Sequence, residues 1–175
     1  MNVLHRYAVS ATVLGCIASF STFAADPPPA RPQVLASPDL ITLADATRMA
    51  QAALDACAKL GQPTSVVVMD AAGFQRVAYS DDNAKQIGVL HTRLKAAAVL
   101  EFKVSTQALA ARVQTDKQFA DQYGKDERYL LQAGGLPVYK SGKLVAVISV
   151  GGSGDANEAC AQAGVKALSW AGTAP

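Results

Sequence analysis

Ala133-Gly134-Gly135-Leu136-Pro137-Val138, followed by Ser141-Gly142 and then Leu144-Val145-Ala146-Val147-Ile148-Ser149-Val150-Gly151-Gly152, decides the architecture of this chain. Ser141-Gly142, between Lys140 and Lys143, has the length and composition of a tight hairpin turn. The apolar run after it lacks the alternation of a strand with one face in water, so it predicts a central strand covered on both faces. The pairs Gly134-Gly135 and Gly151-Gly152 frame the hairpin, where they supply positive φ or a close approach that a Cβ would obstruct. The hairpin itself carries no catalytic side chain.

Downstream, Asp155-Ala156-Asn157-Glu158 has acidic capping spacing and opens a helix from Asp155 to about Leu168. Its small residues, Ala159, Cys160, Ala163, Gly164 and Ala167, allow close contact with the sheet or the first helix. Upstream, Thr42-Leu43-Ala44-Asp45 has capping-box spacing with an acid in the usual Glu or Gln place. Leu43, Ala46, Ala50, Ala53, Leu54 and Cys57 then form one apolar stripe, ended by Gly61 and Pro63. Ser65 to Met69 and Phe74 to Tyr79 predict two strands joined by the turn Asp70-Ala71-Ala72-Gly73. A second helix follows the polar break Ser80-Asp81-Asp82-Asn83 and runs to about Leu100, with short helices around 107–113 and 117–123. The order helix, hairpin, helices, hairpin, helix predicts an α+β domain with an antiparallel sheet flanked by helices.

The first 25 residues read as an export leader: His5 and Arg6, an apolar stretch from Tyr7 to Phe20, then small residues at Ala24 and Ala25. That stretch, about 14 residues, falls short of the roughly 20 a membrane span needs. Cys16 follows Val13-Leu14-Gly15, but Leu14 and the apolar sequence after Cys16 do not suit lipidation. Residues 26–39, beginning Asp26-Pro27-Pro28-Pro29, read as a proline-rich tether, and residues 40–170 as the domain. These features predict a periplasmic or secreted protein without a membrane span. Loss of Arg6 lowers the formal charge from +2 to +1, too small for a broad nucleic-acid footprint. Cys57 and Cys160 remain, and two readings stand for them. They are either buried small hydrophobes or, if the first and last helices lie side by side, a disulfide worth about 2–4 kcal/mol.

Gly134-Gly135-Leu136-Pro137-Val138, Gly142 to Gly152, Glu158-Ala159-Cys160-Ala161-Gln162-Ala163-Gly164, Val68-Met69-Asp70-Ala71-Ala72-Gly73 and Lys95-Ala96 together resemble the GlcG/HbpS family, also called the haem-degrading domain family. The likeness covers roughly residues 40–169. It implies a profilin-like fold, haem or a related tetrapyrrole as cofactor, a part in haem degradation or iron and redox sensing, and self-association into a homo-oligomer. Two departures stand out. Asn157-Glu158 replaces the family's acidic pair before the last helix, and Asp81-Asp82-Asn83-Ala84 replaces its charged-Gly-Ala step.

For a haem binder the resemblance directs attention to His91, the one histidine after the leader, which shares a helix face with Ile87 and Leu94. Arg93 and Lys95 stand where haem propionates could be met, though an ordinary solvated face is the commoner explanation of such residues. Tyr79, Tyr123, Tyr129 and Tyr139 are further iron-ligand types, and Met49 and Met69 read as packing residues. Gly134, Gly135, Gly151 and Gly152 read as loops beside a ligand pocket. The Gly151-Gly152-Ser153-Gly154 turn could hold an anion, but Asp155 competes for the same donors. Ser149 and Ser153 lack a nucleophile elbow, and Asp70, Asp81, Asp82, Asp126 and Glu127 suit turns and solubility. The alternative function is a non-enzymatic accessory protein that binds a small carboxylate, glycolate-type or other, in a periplasmic catabolic pathway. A purely structural oligomer component is a third.

Overall fold

The computed structural model describes residues 40–174, and the expected leader and tether lie outside them. The elements are α1 (Leu43–Lys59), β1 (Ser65–Asp70), β2 (Gln75–Ser80), α2 (Gln86–Phe102), α3 (Thr106–Thr115), α4 (Lys117–Tyr123), β3 (Gly135–Lys140), β4 (Lys143–Gly151) and α5 (Asn157–Lys166). The four strands form one antiparallel sheet in the order β2-β1-β4-β3, so the expected α+β architecture is the one observed.

β4 is central, as its unbroken apolar run requires. Ser141 and Gly142 both take positive φ, 50° and 78°, the geometry of a two-residue hairpin turn that matches strand twist. Pro137, which cannot donate to a ladder, sits on the edge strand β3. The free edge of β3 receives Gly172, which exchanges two backbone hydrogen bonds with Tyr139 at 2.8 and 3.1 Å.

Alternate residues of the strands face opposite layers. Val66, Val68, Ile148 and Val150 meet Met49, Ala50 and Ala53 of α1 and Ala161 and Val165 of α5 in the main core. Met69 and Val147 meet Ala96 and Val99 of α2 in a much smaller cluster on the other face. A third cluster joins Ala98 of α2 to Leu109 and Phe119, with Phe102, Tyr123 and Tyr129 edge-to-face around them.

Several local expectations shift. β2 starts at Gln75 because the buried Asp70 carboxylate holds the turn, accepting from Ala72 N at 2.9 Å, Phe74 N at 3.0 Å and Arg76 Nε at 2.8 Å. Asp70 is thus a turn organiser and not a solubilising charge. Thr42 does cap α1, its hydroxyl accepting from Asp45 N at 3.1 Å, but Leu43 leaves the stripe and is 64% exposed. α5 begins at Asn157 after a short 3-10 turn, Gly154–Ala156. Asn157, not Asp155, satisfies that turn, its Oδ1 accepting from Ser153 N at 3.1 Å. Cys160 and Gly164 of α5 face inward against α1 and the sheet, the close contact that the small residues of this helix were expected to allow. Cys57 and Cys160 are joined, S–S 2.04 Å and Cα–Cα 5.5 Å, across a separation of 103 residues.

Candidate functional site

α2 decides where chemistry can occur, because one of its faces packs on the sheet and the other is left partly open. The face against the sheet is built from Gly88, Thr92, Lys95, Ala96 and Val99. Small residues are needed there: a Cβ at Gly151 would come within 2.8 Å of the Gly88 carbonyl oxygen and 3.4 Å of His91 Cβ. The helix therefore sits low on β4, and the stripe carrying Ile87, His91 and Leu94 turns outward. Ile87 is 49% and Leu90 51% exposed, with His91 and Leu94 half-buried beside them. Arg93 is exposed, one turn beyond Leu90. The second half of this outward face is covered by the chain near Leu130, whose N–H donates to Leu94 O at 3.3 Å. What stays open is an apolar patch with an imidazole at its margin.

Lys95 takes the opposite direction. It is 1% exposed, and its ammonium donates to Ala133 O at 2.7 Å and Val150 O at 2.9 Å. Burial lowers its pKa from 10.5 to about 8, against the opposing field of Glu158. It is therefore an internal strut between α2 and the start of the β3–β4 hairpin, out of reach of a propionate on the open face. Glu158 closes the same knot from α5, accepting from Gly134 N at 2.8 Å. Its pKa is raised by desolvation and drawn back by Gly134, Lys95 and Gln162. Thr106 completes the knot, its hydroxyl accepting from Gly135 N at 2.8 Å.

The framing glycines approach the protein itself. Gly134, with φ +118°, would place a Cβ 2.6 Å from Asn157 Cβ and 3.1 Å from Lys95 Nζ. Gly134, Gly135 and Gly151 are buried, while Gly152 is exposed. The room for a ligand lies farther out, beyond Glu158, in a cavity of about 640 Å³ between α3, α5 and the C-terminal segment. The structure thus brings His91 to Gly151 and Lys95 to Gly134, leaves Arg93 outside, and adds Glu158, Asn157 and Thr106. No sequence signal pointed to Glu158 as a partner of Gly134, since it reads locally as a helix-start acid.

The other iron-ligand types stand apart from His91. Tyr139 is buried and donates to Lys103 O at 3.1 Å, Tyr123 and Tyr129 belong to the aromatic cluster, and Met49 is core. Among the described residues no group of three or more His, Cys, Asp or Glu could hold a metal ion, and no helix is long and apolar enough to cross a membrane.

A family model described as haem degrading protein HbpS-like matches residues 41–166. The crystal structure of HbpS is 34% identical, with 79% of this chain and 97% of that chain covered and a TM-score of 0.67. A doubly substituted HbpS from Streptomyces reticuli is 35% identical, covering 83% and 98%, with a TM-score of 0.66. The PduOC:heme complex has a TM-score of 0.71 over 78% of this chain and 99% of that chain, and at 20% identity it is a likeness of fold. No curated protein matches.

Proposed function

This chain belongs to the HbpS-like family, and on that premise we propose that it binds haem on the open face of α2, with the His91 imidazole as iron ligand. The observation that carries the reading is the pair Ile87 and Leu90, large apolar side chains that stay in water beside the half-buried nitrogen donor His91. A flat macrocycle suits such a face, because it covers the exposed apolar area while the imidazole reaches the metal from one side. The donor set also favours this place over the cavity, whose lining has no His, Cys, Met or Tyr. Ile87 and Leu90 exclude water from the face of the ring, and the Arg93 guanidinium offers a partner for a propionate. Bound haem supplies the iron chemistry, and the protein supplies orientation and access.

The protein acts outside the cytoplasm in this reading, after removal of a leader over residues 1–25. The basic start and apolar run of that segment support it, as does the Cys57–Cys160 bond, which persists in an oxidising compartment. Titration with hemin tests the assignment. A saturable Soret shift is expected, with affinity lowered about tenfold or more in His91→Ala and in Leu90→Lys. An unchanged shift in both variants overturns the site, and no shift in the parent protein overturns the function.

A further inference from the structure

The cavity beyond Glu158 is built unlike the haem face. Val104 from the turn before α3, Ala108 from α3, Leu136 from β3 and Val165 from α5 form its apolar wall. Segment 171–174 closes one side, pinned to β3 by the Tyr139–Gly172 hydrogen bonds. Its volume, about 640 Å³, lies within the range of small-molecule sites.

Its charges are sorted. Lys103 and Lys166 stand exposed at the rim; Tyr139 donates to the Lys103 carbonyl, and the Lys103 ammonium donates to Leu100 O, which leaves it two further N–H donors. The half-buried Glu158 carboxyl is the inner polar group, with Gly134 N and Gln162 donating to it. An ionised carboxylate offers about four acceptor positions, so two donors leave capacity for another. Two lysines against one carboxyl give the opening a positive balance, which selects anions.

We propose that this cavity is a second ligand site, separate from the α2 face, for an amphipathic organic anion. Its acid group meets Lys103 and Lys166, its apolar body lies on Val104, Leu136 and Val165, and a hydroxyl or amine at its far end donates to Glu158. The site does not depend on the haem assignment, since none of its lining residues belongs to the stripe around His91.

Anilinonaphthalene sulfonate, an apolar aromatic body with one acid group, is the probe. The natively folded protein, checked by near-ultraviolet circular dichroism, is expected to bind it saturably at one site. Ala108→Trp, which fills the cavity from α3, and the surface pair Lys103→Glu with Lys166→Glu are each expected to raise Kd about tenfold. The uncharged parent, N-phenylnaphthylamine, is expected to bind about tenfold more weakly than the sulfonate. Hemin titration of these variants stays unchanged, so failure here is distinguishable from failure of the haem reading. Dye binding that ignores the variants, or that only Leu90→Lys removes, overturns the site, and equal binding of the uncharged parent overturns the anion class. Should Ala108→Trp not fold, the surface lysine pair decides.

Discussion

The two faces of the sheet carry different work. On the α1 and α5 side, Val66, Val68, Ile148 and Val150 interdigitate with two helices that a disulfide also ties together. On the α2 side Met69 and Val147 meet Ala96, Val99 and Leu100 in a smaller cluster, and the same layer holds a buried lysine and the Ser149 hydroxyl, which is buried with no hydrogen-bond partner. Burial of each large aliphatic side chain stabilises by roughly 1.5–3 kcal/mol, so the first face holds most of the fold's stability. The second face gives some of that up: Lys95 of the polar knot lies there, and the open stripe lies on the outer side of α2. A sheet can concentrate stability on one side and leave the other to position polar groups.

The sharpest test of the contrast is the disulfide. Replacing both Cys57 and Cys160 by Ser is expected to lower the unfolding free energy by about 2–4 kcal/mol in denaturant titration, with hemin affinity unchanged. The Ser153 hydroxyl, 3.2 Å from Cys57 Sγ and able only to donate to the oxidised sulfur, meets a serine hydroxyl there in the same variant. A fall in hemin affinity would show that the two faces are coupled.

Lys95 gives the next largest effect, on the other face. Its folded pKa of about 8 lies below that of the unfolded chain, so the amine costs stability while charged. The unfolded chain keeps its proton to about 10.4, and between these values it binds more protons than the folded one. Stability is therefore expected to rise between pH 8 and pH 10.5, relative to Lys95→Met, by on the order of 2–3 kcal/mol. Parallel pH curves for the two proteins would remove the buried charge from the account.

Single methyl groups sharpen the comparison further. A Cβ at Gly164 on the first face would meet Ile148 Cδ1 at 2.6 Å and Met49 O at 2.8 Å, so Gly164→Ala is expected to cost about 1–3 kcal/mol. At Gly88 on the second face the nearest atoms are Gly151 O at 3.2 Å and Ser65 Oγ at 3.3 Å. Gly88→Ala is expected to change stability by less than about 1 kcal/mol, the mild crowding being offset by better helix propensity. Equal losses by thermal unfolding would mean that both faces are packed alike.

Much of this was legible before any coordinates. The Ser141-Gly142 turn, the central β4 run and the Thr42 cap depend on residues within a few positions of one another, and each stands where the pattern put it. The likeness to the HbpS-like family was legible too, because its glycine and proline signals are local in sequence. On α2 the structure departs from the sequence pattern at Lys95, which turns inward instead of meeting a propionate. Ile87, His91 and Leu94 share a face that periodicity marks as apolar, yet the helix packs Gly88, Thr92 and Ala96 inward, because the missing side chains of Gly88 and Gly151 let α2 approach β4 closely there. Periodicity identifies a face and not which neighbour it meets. The knot was hidden for a related reason: Lys95 reaches Val150 across 55 positions and Gly134 reaches Glu158 across 24.

The amino-acid order alone determined the elements, their sequence along the chain and the central place of β4, since turn chemistry, capping and hydrophobic runs act over a few neighbouring residues. Tertiary structure alone decided that His91 stands half-buried beside the exposed Ile87 and Leu90, that the Lys95 amine faces inward, and that a cavity opens beyond Glu158. Those outcomes follow from how closely two layers approach, and that distance is set by side-chain volumes from distant parts of the chain meeting in one place.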